Sequence, residues 1–142
     1  MIREFQKQDI TQIEKIWLEA SAISQSFLTP SFIETERQKL SSVYIHRTDT
    51  WVYEENDMVK GFIAMIDNEI GALFIDPLSH RQGIGSLLID FVAMLHEALE
   101  VEVFKKNTMA RAFYNKYGFN SIKEHFHEEA NQELIRLRYT IA

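Results

Sequence analysis

The chain of 142 residues contains no cysteine and only two prolines. Without cysteine it has neither a disulfide framework nor a thiol nucleophile, so its composition is indifferent to the redox state of its compartment. No apolar run approaches the roughly 20 residues of a membrane span. The first residues, MIREFQKQD, are charged and lack the apolar centre of a signal peptide. These absences predict a cytoplasmic protein without a membrane partner.

Basic residues are outnumbered, since 15 Lys and Arg stand against 21 Asp and Glu and leave a net charge of −6. A nucleic-acid-binding protein would need a basic face, so no nucleic-acid partner is predicted. The negative charge leaves room for a cationic substrate, although it also serves solubility. The length and the hydrophobic fraction of 46% predict a single domain, residues 1–142, with a sizeable core.

The stretch Ile70–Leu88 reads IGALFIDPLSHRQGIGSLL and joins three patterns. An apolar strand pattern, Ile70–Ile75, is followed by a polar loop that contains Gly83 and Gly85. A helical pattern then begins, with apolar residues at spacings of three and four: Ile84, Leu87, Leu88, Phe91, Val92, Leu95 and Leu99. Glycines allow close approach of the backbone to a ligand, and the first amides of a helix have no partner within it. This stretch therefore predicts a phosphate-binding site.

The remaining patterns predict seven strands and four helices. The strands are Ile2–Phe5, Thr50–Glu54, Met58–Asp67, Glu69–Ile75, Val101–Phe104, Phe119–Phe126 and Glu133–Ile141. The helices are one capped by Asp9 with Ile10, Ile13, Ile16, Trp17 and Ala20 on one face, one capped by Ser31 from Phe32 to about Leu40, the helix after the glycines, and Thr108–Tyr117. Short polar turns predict antiparallel hairpins before the glycine loop, and the helical crossover predicts a parallel strand after it. The predicted fold class is a mixed α/β (α+β) sheet of order βααβββαβαββ.

Two known phosphate motifs do not fit the glycine loop. A Walker-type loop requires Gly-Lys-Ser/Thr, whereas the chain has Gly85-Ser86-Leu87. A dinucleotide-binding fingerprint requires a small residue where Leu88 stands, and a βαβ unit rather than preceding hairpins. On this stretch alone, glycines that merely begin a helix remain an alternative.

A second stretch, Val101–Phe119, reads VEVFKKNTMARAFYNKYGF. Its pattern is Asn107-x-x-Ala110-x-x-Phe113-Tyr114-x-x-x-Gly118-Phe119. Placed after a parallel strand, this pattern resembles the second signature of the GNAT acyl-CoA-dependent N-acetyltransferases. The segment His80–Gly85, HRQGIG, resembles the Gln/Arg-x-x-Gly-x-Gly/Ala pyrophosphate loop of the same family. The element order is similar to that family over nearly the whole chain, with small bacterial single-domain members most alike.

One position departs from the family pattern. The first residue of the loop, usually Gln or Arg, is His80 here. Arg81 and Gln82 follow and keep side-chain donors in the loop. Because such a loop binds mainly through backbone N–H groups, we expect His80 to change affinity at most.

The resemblance implies an acetyl-CoA-dependent N-acetyltransferase that acts on a primary amine: a protein lysine, an N-terminus or a small amine. The residues it assigns to the co-substrate are Leu73, Phe74 and Ile75 for the pantetheine arm, His80, Arg81, Gln82, Gly83, Ile84, Gly85 and Ser86 for the pyrophosphate, and Asn107, Ala110 and Phe113 beside the arm. Tyr114 matches the tyrosine near the sulfur. The amine would attack the thioester directly, a backbone N–H would stabilise the oxyanion, and Tyr114 would protonate the departing thiolate as general acid. The alternative for Tyr114 is a core aromatic at helical spacing.

The base that accepts the amine's proton is left open. Glu69, Asp67 and Glu102 are candidates, and ordered water is another. For the acceptor pocket, available aromatic residues are Trp17, Phe27, Phe32, Trp51 and Tyr53, although most aromatics at such spacings are core. The irregular segment Phe27–Pro30 is the predicted specificity loop.

Two further hypotheses complete the sequence reading. His125-x-His127 could suggest a metal site, but alternating histidines beside a hairpin turn more often face solvent and no third ligand is evident, so no metal is predicted. The rival to an enzyme is a non-catalytic acyl-CoA-binding regulator on the same scaffold. A monomer or a homodimer is expected, because the terminal strands could pair if they form exposed edges.

Overall fold

The structure, a computed structural model, describes residues 1–40, 46 and 48–141. Seven strands form one mixed sheet in the order β1-β2-β3-β4-β5-β7-β6. The strands are β1 Ile2–Glu4, β2 Asp49–Glu55, β3 Met58–Ile66, β4 Glu69–Ile75, β5 Ala98–Phe104, β6 Asn120–His127 and β7 Gln132–Thr140. The α-helices in the described ranges are α1 Ile10–Ser24, α2 Pro30–Lys39, α3 Ile84–Ala93 and α4 Thr108–Tyr117. The predicted fold class and element order are confirmed.

The hairpins before the glycine loop form because their turn residues tolerate left-handed backbone. Asn56 and Asp57 have φ of 54° and 63°, and Asp67 has φ of 53°. Such values suit Asn and Asp, and paired left-handed residues match the twist of a hairpin. β2, β3 and β4 are therefore antiparallel neighbours, as predicted.

None of the helices in the described ranges is long and apolar enough to cross a bilayer.

Two hydrophobic cores cover the two faces of the sheet. On one face, α1 and α2 pack against apolar side chains that include Ile13, Trp17, Val52 and Phe62. On the other face, α3 and α4 pack against a larger core that draws on β3, β4, β5 and β7. Alternation along each strand divides its side chains between these cores.

The parallel pair β4 and β5 is joined at only two positions, Glu69 with Glu100 and Ile70 with Val101. Beyond them β4 continues beside β3 and β5 continues beside β7. The pairing register of β4 with β3 shifts where Gly71 has no partner, which is a β-bulge. A bulge bends its strand. The bend at Gly71 lies where the two strands part, and a gap opens between their carboxyl-terminal ends.

The third helix is shorter than its sequence pattern predicted. α3 ends at Ala93, Leu95 is largely exposed, and Leu99 is fully buried in β5, which begins at Ala98. Leu99 satisfies both the helical spacing and the alternation with Val101 and Val103. The strand alternation prevails because it places all three side chains in one core.

Two predicted helix caps are also wrong. Thr29, not Ser31, caps α2, since its hydroxyl accepts a hydrogen bond from the amide of Phe32 at 3.2 Å. Pro30 then occupies the first helical position, where its missing N–H is no loss. The Asp9 carboxylate does not cap α1 and instead accepts hydrogen bonds from Arg3 at 2.9 Å.

Candidate active site

A cavity of about 1110 Å³ occupies the gap between β4 and β5 and opens toward both faces of the sheet. One half is lined by the end of β4, the glycine loop, the start of α3 and α4. The other half is lined by α1, α2 and the segment between them. Typical small-molecule pockets measure about 300–1,000 Å³. The cavity is therefore large enough to hold two molecules that meet at the gap.

The glycine loop is held open by left-handed backbone at two residues. Gly83, the residue before α3, has φ of 78°, and Arg81 has φ of 65°. A Cβ at Gly83 would meet no atom within 4 Å, so this glycine is required by its φ and not by crowding. The loop leads straight into the first turn of α3, whose amides and dipole favour an anion.

Gly85 is required for a different reason. A Cβ built there would lie 3.0 Å from the Phe113 ring, closer than ordinary contact allows. The absence of a side chain lets α3 and α4 approach where both line the cavity. Gly85 therefore sets the spacing between the two helices.

The end of β4 presents backbone groups to the gap. The amide of Asp76 donates to the carbonyl of Lys60 on β3 at 2.8 Å. Hydrogen-bonded and non-hydrogen-bonded positions alternate along an antiparallel pair. The backbone N–H and C=O of Phe74 therefore point toward β3, whereas those of Leu73 and Ile75 point into the gap between β4 and β5. Phe74 lines the cavity and also stacks on Phe62 in the α1 core.

Asn107 stands at the beginning of α4 and is 5% exposed. Its Oδ1 accepts a hydrogen bond from the amide of Ala110 at 3.0 Å, which caps the helix. In the described ranges no acceptor is bonded to its Nδ2, and the residue lines the cavity. The cap thus fixes the side chain and leaves a donor for a ligand.

Tyr114 lines the cavity and is 5% exposed. Its ring packs edge-on against Phe113 and Phe119, with centroids at 5.2 and 5.1 Å. Burial raises the pKa of its phenol well above the ordinary tyrosine value. No described residue forms a hydrogen bond with its hydroxyl. Tyr114 is therefore a protonated donor that has no hydrogen-bond partner among the described residues.

The half of the cavity lined by α1 and α2 is where the sequence predicts the acceptor pocket, and we call it the acceptor half. Its lining differs in part from the residues that the sequence offered. Trp17 and Phe32 line it, and Leu28 joins them from the predicted specificity loop. Phe27 instead packs against Phe104, with ring centroids at 5.6 Å. Trp51 and Tyr53 belong to the core instead, because the alternation of β2 places them on the α3 face.

The candidate bases occupy three different environments. Asp67 is an exposed turn residue away from the cavity lining. Glu69 is paired with Arg136 at 3.1 Å and lies outside the lining. Glu102 lines the cavity, and its Oε2 lies 3.2 Å from Nε2 of His125. Glu102 is the candidate that can reach a molecule in the gap.

The two histidines of the His-x-His pattern have separate partners. His125 contacts Glu102, whereas His127 packs on Phe32 and accepts a hydrogen bond from the amide of Ala130 at 3.1 Å. The described part of the chain holds no group of three or more His, Asp or Glu arranged for a metal ion. Both histidines are half-buried, so each keeps part of its surface in solvent.

Most sequence-predicted co-substrate residues meet at one cavity. Among them, the residues that line it are Leu73, Phe74, Ile75, His80, Arg81, Gly83, Ile84, Gly85, Ser86, Asn107, Ala110 and Phe113. Gln82 is exposed and outside this lining. Sequence reasoning missed Glu36, which lines the acceptor half. Its position four residues after Phe32, on the inner face of α2, is the signal that could have found it.

Comparison with protein families matches residues 5–139 to the acetyltransferase (GNAT) domain. Peptidyl-lysine N-acetyltransferase YiaC of Escherichia coli is 30% identical over 123 residues, which cover 86% of this chain and 84% of that relative. Peptidyl-lysine N-acetyltransferase YjaB of Salmonella typhimurium is 30% identical over 119 residues, which cover 83% of this chain and 81% of that relative.

Solved structures share the same architecture. The solution structure of apo-form YjaB from Escherichia coli is similar with a TM-score of 0.86 and 26% identity, covering 100% of this chain and 98% of that one. PaiA N-acetyltransferase from Thermoplasma acidophilum, solved in complex with coenzyme A, is similar with a TM-score of 0.78 and 18% identity, covering 98% of each chain. At that identity the second likeness shows the fold alone.

Proposed function

The chain belongs to the GNAT acetyltransferase family, and from this premise we propose that it transfers the acetyl group of acetyl-CoA to a lysine side chain of a protein. The enzyme class, an N-acetyltransferase, follows from the family. Two relatives named as peptidyl-lysine N-acetyltransferases favour a lysine acceptor over an N-terminus or a small amine. The observation that carries the proposal is the gap between β4 and β5, where one cavity joins the glycine loop to the α1–α2 face.

The residues around the gap fit acetyl-CoA, which supplies an acyl group activated as a thioester. The backbone groups of Leu73 and Ile75 that face the gap suit the amides of a pantetheine arm, and Nδ2 of Asn107 offers a further donor. The loop before α3 and the first turn of the helix suit a pyrophosphate. The binding set is that predicted from the sequence, with Gln82 at its solvent edge.

Two groups of the chain are proposed to act in the reaction: a backbone N–H in the gap and the hydroxyl of Tyr114. As the amine nitrogen attacks the thioester carbonyl, a backbone N–H that faces the gap stabilises the oxyanion. The carbon–sulfur bond then breaks, and Tyr114 gives its proton to the leaving sulfur. Burial without a hydrogen-bond partner keeps Tyr114 protonated until that step.

The raised pKa of Tyr114 predicts a pH dependence. An ordinary tyrosine loses its proton near pH 10, but burial shifts this ionisation upward, so Tyr114 stays protonated as the pH rises through 10. We expect kcat measured from pH 7 to 10.5 to show no loss from Tyr114 ionisation. A fall with a midpoint near pH 10 in the wild type, absent from Tyr114→Phe, would contradict this expectation.

Glu102 is proposed to accept the amine's proton, directly or through water. Glu102→Gln is expected to lower kcat/KM for a lysine peptide about tenfold to 10²-fold at pH 7. The deficit should shrink toward pH 10, because a free lysine amine deprotonates near pH 10.4. Glu69→Gln is the matched control, since Glu69 also pairs with Arg136 but lies outside the cavity lining. Equal losses in the two variants would point to the ion network and not to proton transfer.

The proposed function is tested by an acetyl-CoA consumption screen across amine classes that includes lysine peptides. We expect release of free coenzyme A with lysine peptides, and mass spectrometry should find the added acetyl group on Nζ. Acetyl-CoA binding without turnover of any amine would overturn the proposal and favour a non-catalytic acyl-CoA-binding protein.

A further inference from the structure

Glu36 is a carboxylate on an otherwise apolar helix face. On α2 and its end, Phe32, Ile33, Glu36 and Leu40 line the acceptor half of the cavity. Their spacing places them on one side of the helix. The neighbouring Glu34 points away from the cavity and is bound by Arg37 through hydrogen bonds of 2.6 and 3.0 Å. The chain thus satisfies one carboxylate of α2 and presents the other to the cavity.

The Glu36 carboxylate has no hydrogen-bond donor within the described ranges. Its Oε2 is buried and accepts no hydrogen bond, and the nearest cation in the described ranges, Nζ of Lys39, forms an ion pair with it at 3.9 Å, outside hydrogen-bond distance. That ammonium also lies 3.8 Å from Glu129. Burial raises the pKa of Glu36, and the nearby Lys39 and His127 oppose the rise. A buried acceptor left unsatisfied is costly, so its presence on a cavity wall indicates a partner from outside the described residues.

Glu36 lies away from the point where the acetyl group is transferred. Phe32, one turn before it, contacts Phe104 with ring centroids at 6.4 Å and His127 at 6.0 Å. Phe104 is two residues beyond Glu102 on the same face of β5, a displacement of about 7 Å. A lysine that reacts beside Glu102 therefore leaves Glu36 to meet another part of the acceptor.

Among the described lining residues, basic side chains lie in one half of the cavity and acidic side chains lie in the other half. The lining lysine and arginine, Lys116 and Arg81, belong to α4 and to the glycine loop. The acceptor half carries Glu36 and Glu102, and Glu102 already contacts His125. Among the described residues of this half, Glu36 is therefore the carboxylate available to a positive group.

We propose that Glu36 binds a second positive charge of the acceptor, carried beside the lysine that is acetylated. The ligand class is a basic peptide segment, in which an arginine or lysine near the reacting lysine supplies an ammonium or guanidinium. This inference rests on the proposed lysine acceptor and adds a selectivity for basic sequence context.

The test compares peptides with a single acceptor lysine. One peptide has glutamine at every flanking position, and a matched set places one arginine at each of three positions on either side. Binding is measured by calorimetry and acetylation by release of coenzyme A, for the wild type, Glu36→Gln and the control Glu34→Gln. A hydrogen bond to a charged group contributes enough for about a tenfold preference. We expect the wild type and Glu34→Gln to prefer at least one arginine peptide by about this factor, and Glu36→Gln to lose the preference through KM, not kcat.

Two results would overturn the inference: a wild type without preference for any arginine peptide, or a Glu36→Gln variant that retains it. The binding measurement decides this even where no peptide is acetylated, an outcome that counts against the proposed function instead. Thermal unfolding checks the fold of Glu36→Gln, which should be about as stable as the wild type because none of the described residues donates a hydrogen bond to the Glu36 carboxylate. Glu36→Asp, which keeps the charge, should retain part of the preference.

Discussion

Replacing Tyr114 with phenylalanine is expected to lower kcat about 10³-fold and to leave the affinity for acetyl-CoA nearly unchanged. The substitution removes only the hydroxyl, and none of the described residues bonds to it. The ring contacts with Phe113 and Phe119 are kept, so neither the fold nor the cavity wall should change. The thiolate would then have to leave without a proton from the enzyme. Steady-state kinetics and calorimetry with acetyl-CoA measure the two quantities separately.

A matched control for this result is Tyr139→Phe. Tyr139 packs on the same aromatic group through Tyr117 and Phe119, but it lies outside the cavity lining. Its loss of a hydroxyl should leave kcat within about twofold of the wild type, as for a surface substitution of small effect. Equal turnover by Tyr114→Phe and the wild type would remove Tyr114 from the mechanism.

Introducing a carboxylate at the start of α3, in Gly85→Glu, is expected to abolish protection by acetyl-CoA against thermal unfolding. At a hundredfold excess over Kd a ligand stabilises by about 2.7 kcal/mol, which corresponds to roughly 5–10 °C for a domain of this size. In the wild type we expect a shift of that order. The new side chain would meet the Phe113 ring and place a negative charge where a pyrophosphate should lie. Differential scanning fluorimetry with and without acetyl-CoA gives the shift directly.

The contact of the new side chain with Phe113 lowers the stability of the variant itself, so the quantity compared is the ligand-induced shift and not the melting temperature alone. Leu87→Glu supplies the control, because Leu87 lies two residues later on α3, is 45% exposed and does not line the cavity. It adds the same charge to the same helix end and should keep the protection. Undiminished protection in Gly85→Glu would contradict the assignment of the glycine loop to the pyrophosphate.

Most of the fold could be predicted from local sequence patterns. The turn residues Asn56 and Asp57 predicted a hairpin because few residues adopt left-handed backbone easily, and the crossover through α3 predicted the parallel pairing of β4 with β5. Leu99 was misassigned since it fits two periodicities at once. Only the packing of Val101 and Val103 into the same core decides between them, and a sequence window does not contain that information.

The candidate site divides in the same way. Residues whose proposed role depends on backbone conformation or on a fixed motif, such as Gly83, Asn107 and Tyr114, could be placed at the cavity from the sequence. The acceptor half could not, because the face that β2 shows depends on where α1 packs, which placed Trp51 on the opposite side. Glu36 escaped notice because a glutamate on a thin helix pattern resembles any solvated residue until the cavity beside it is seen.

Because β4 and β5 are paired at only two positions, the sheet has a mechanical property that bears on the site. It leaves a half-sheet of four strands and another of three, attached edge to edge by little backbone pairing. Their relative angle is instead fixed by the core under α3, to which Ile63 and Met65 of one half and Val103 and Ile135 of the other belong. The packing of the side chains in that core therefore sets the width of the gap. Repacking them would alter the distance between the two substrates without touching either one.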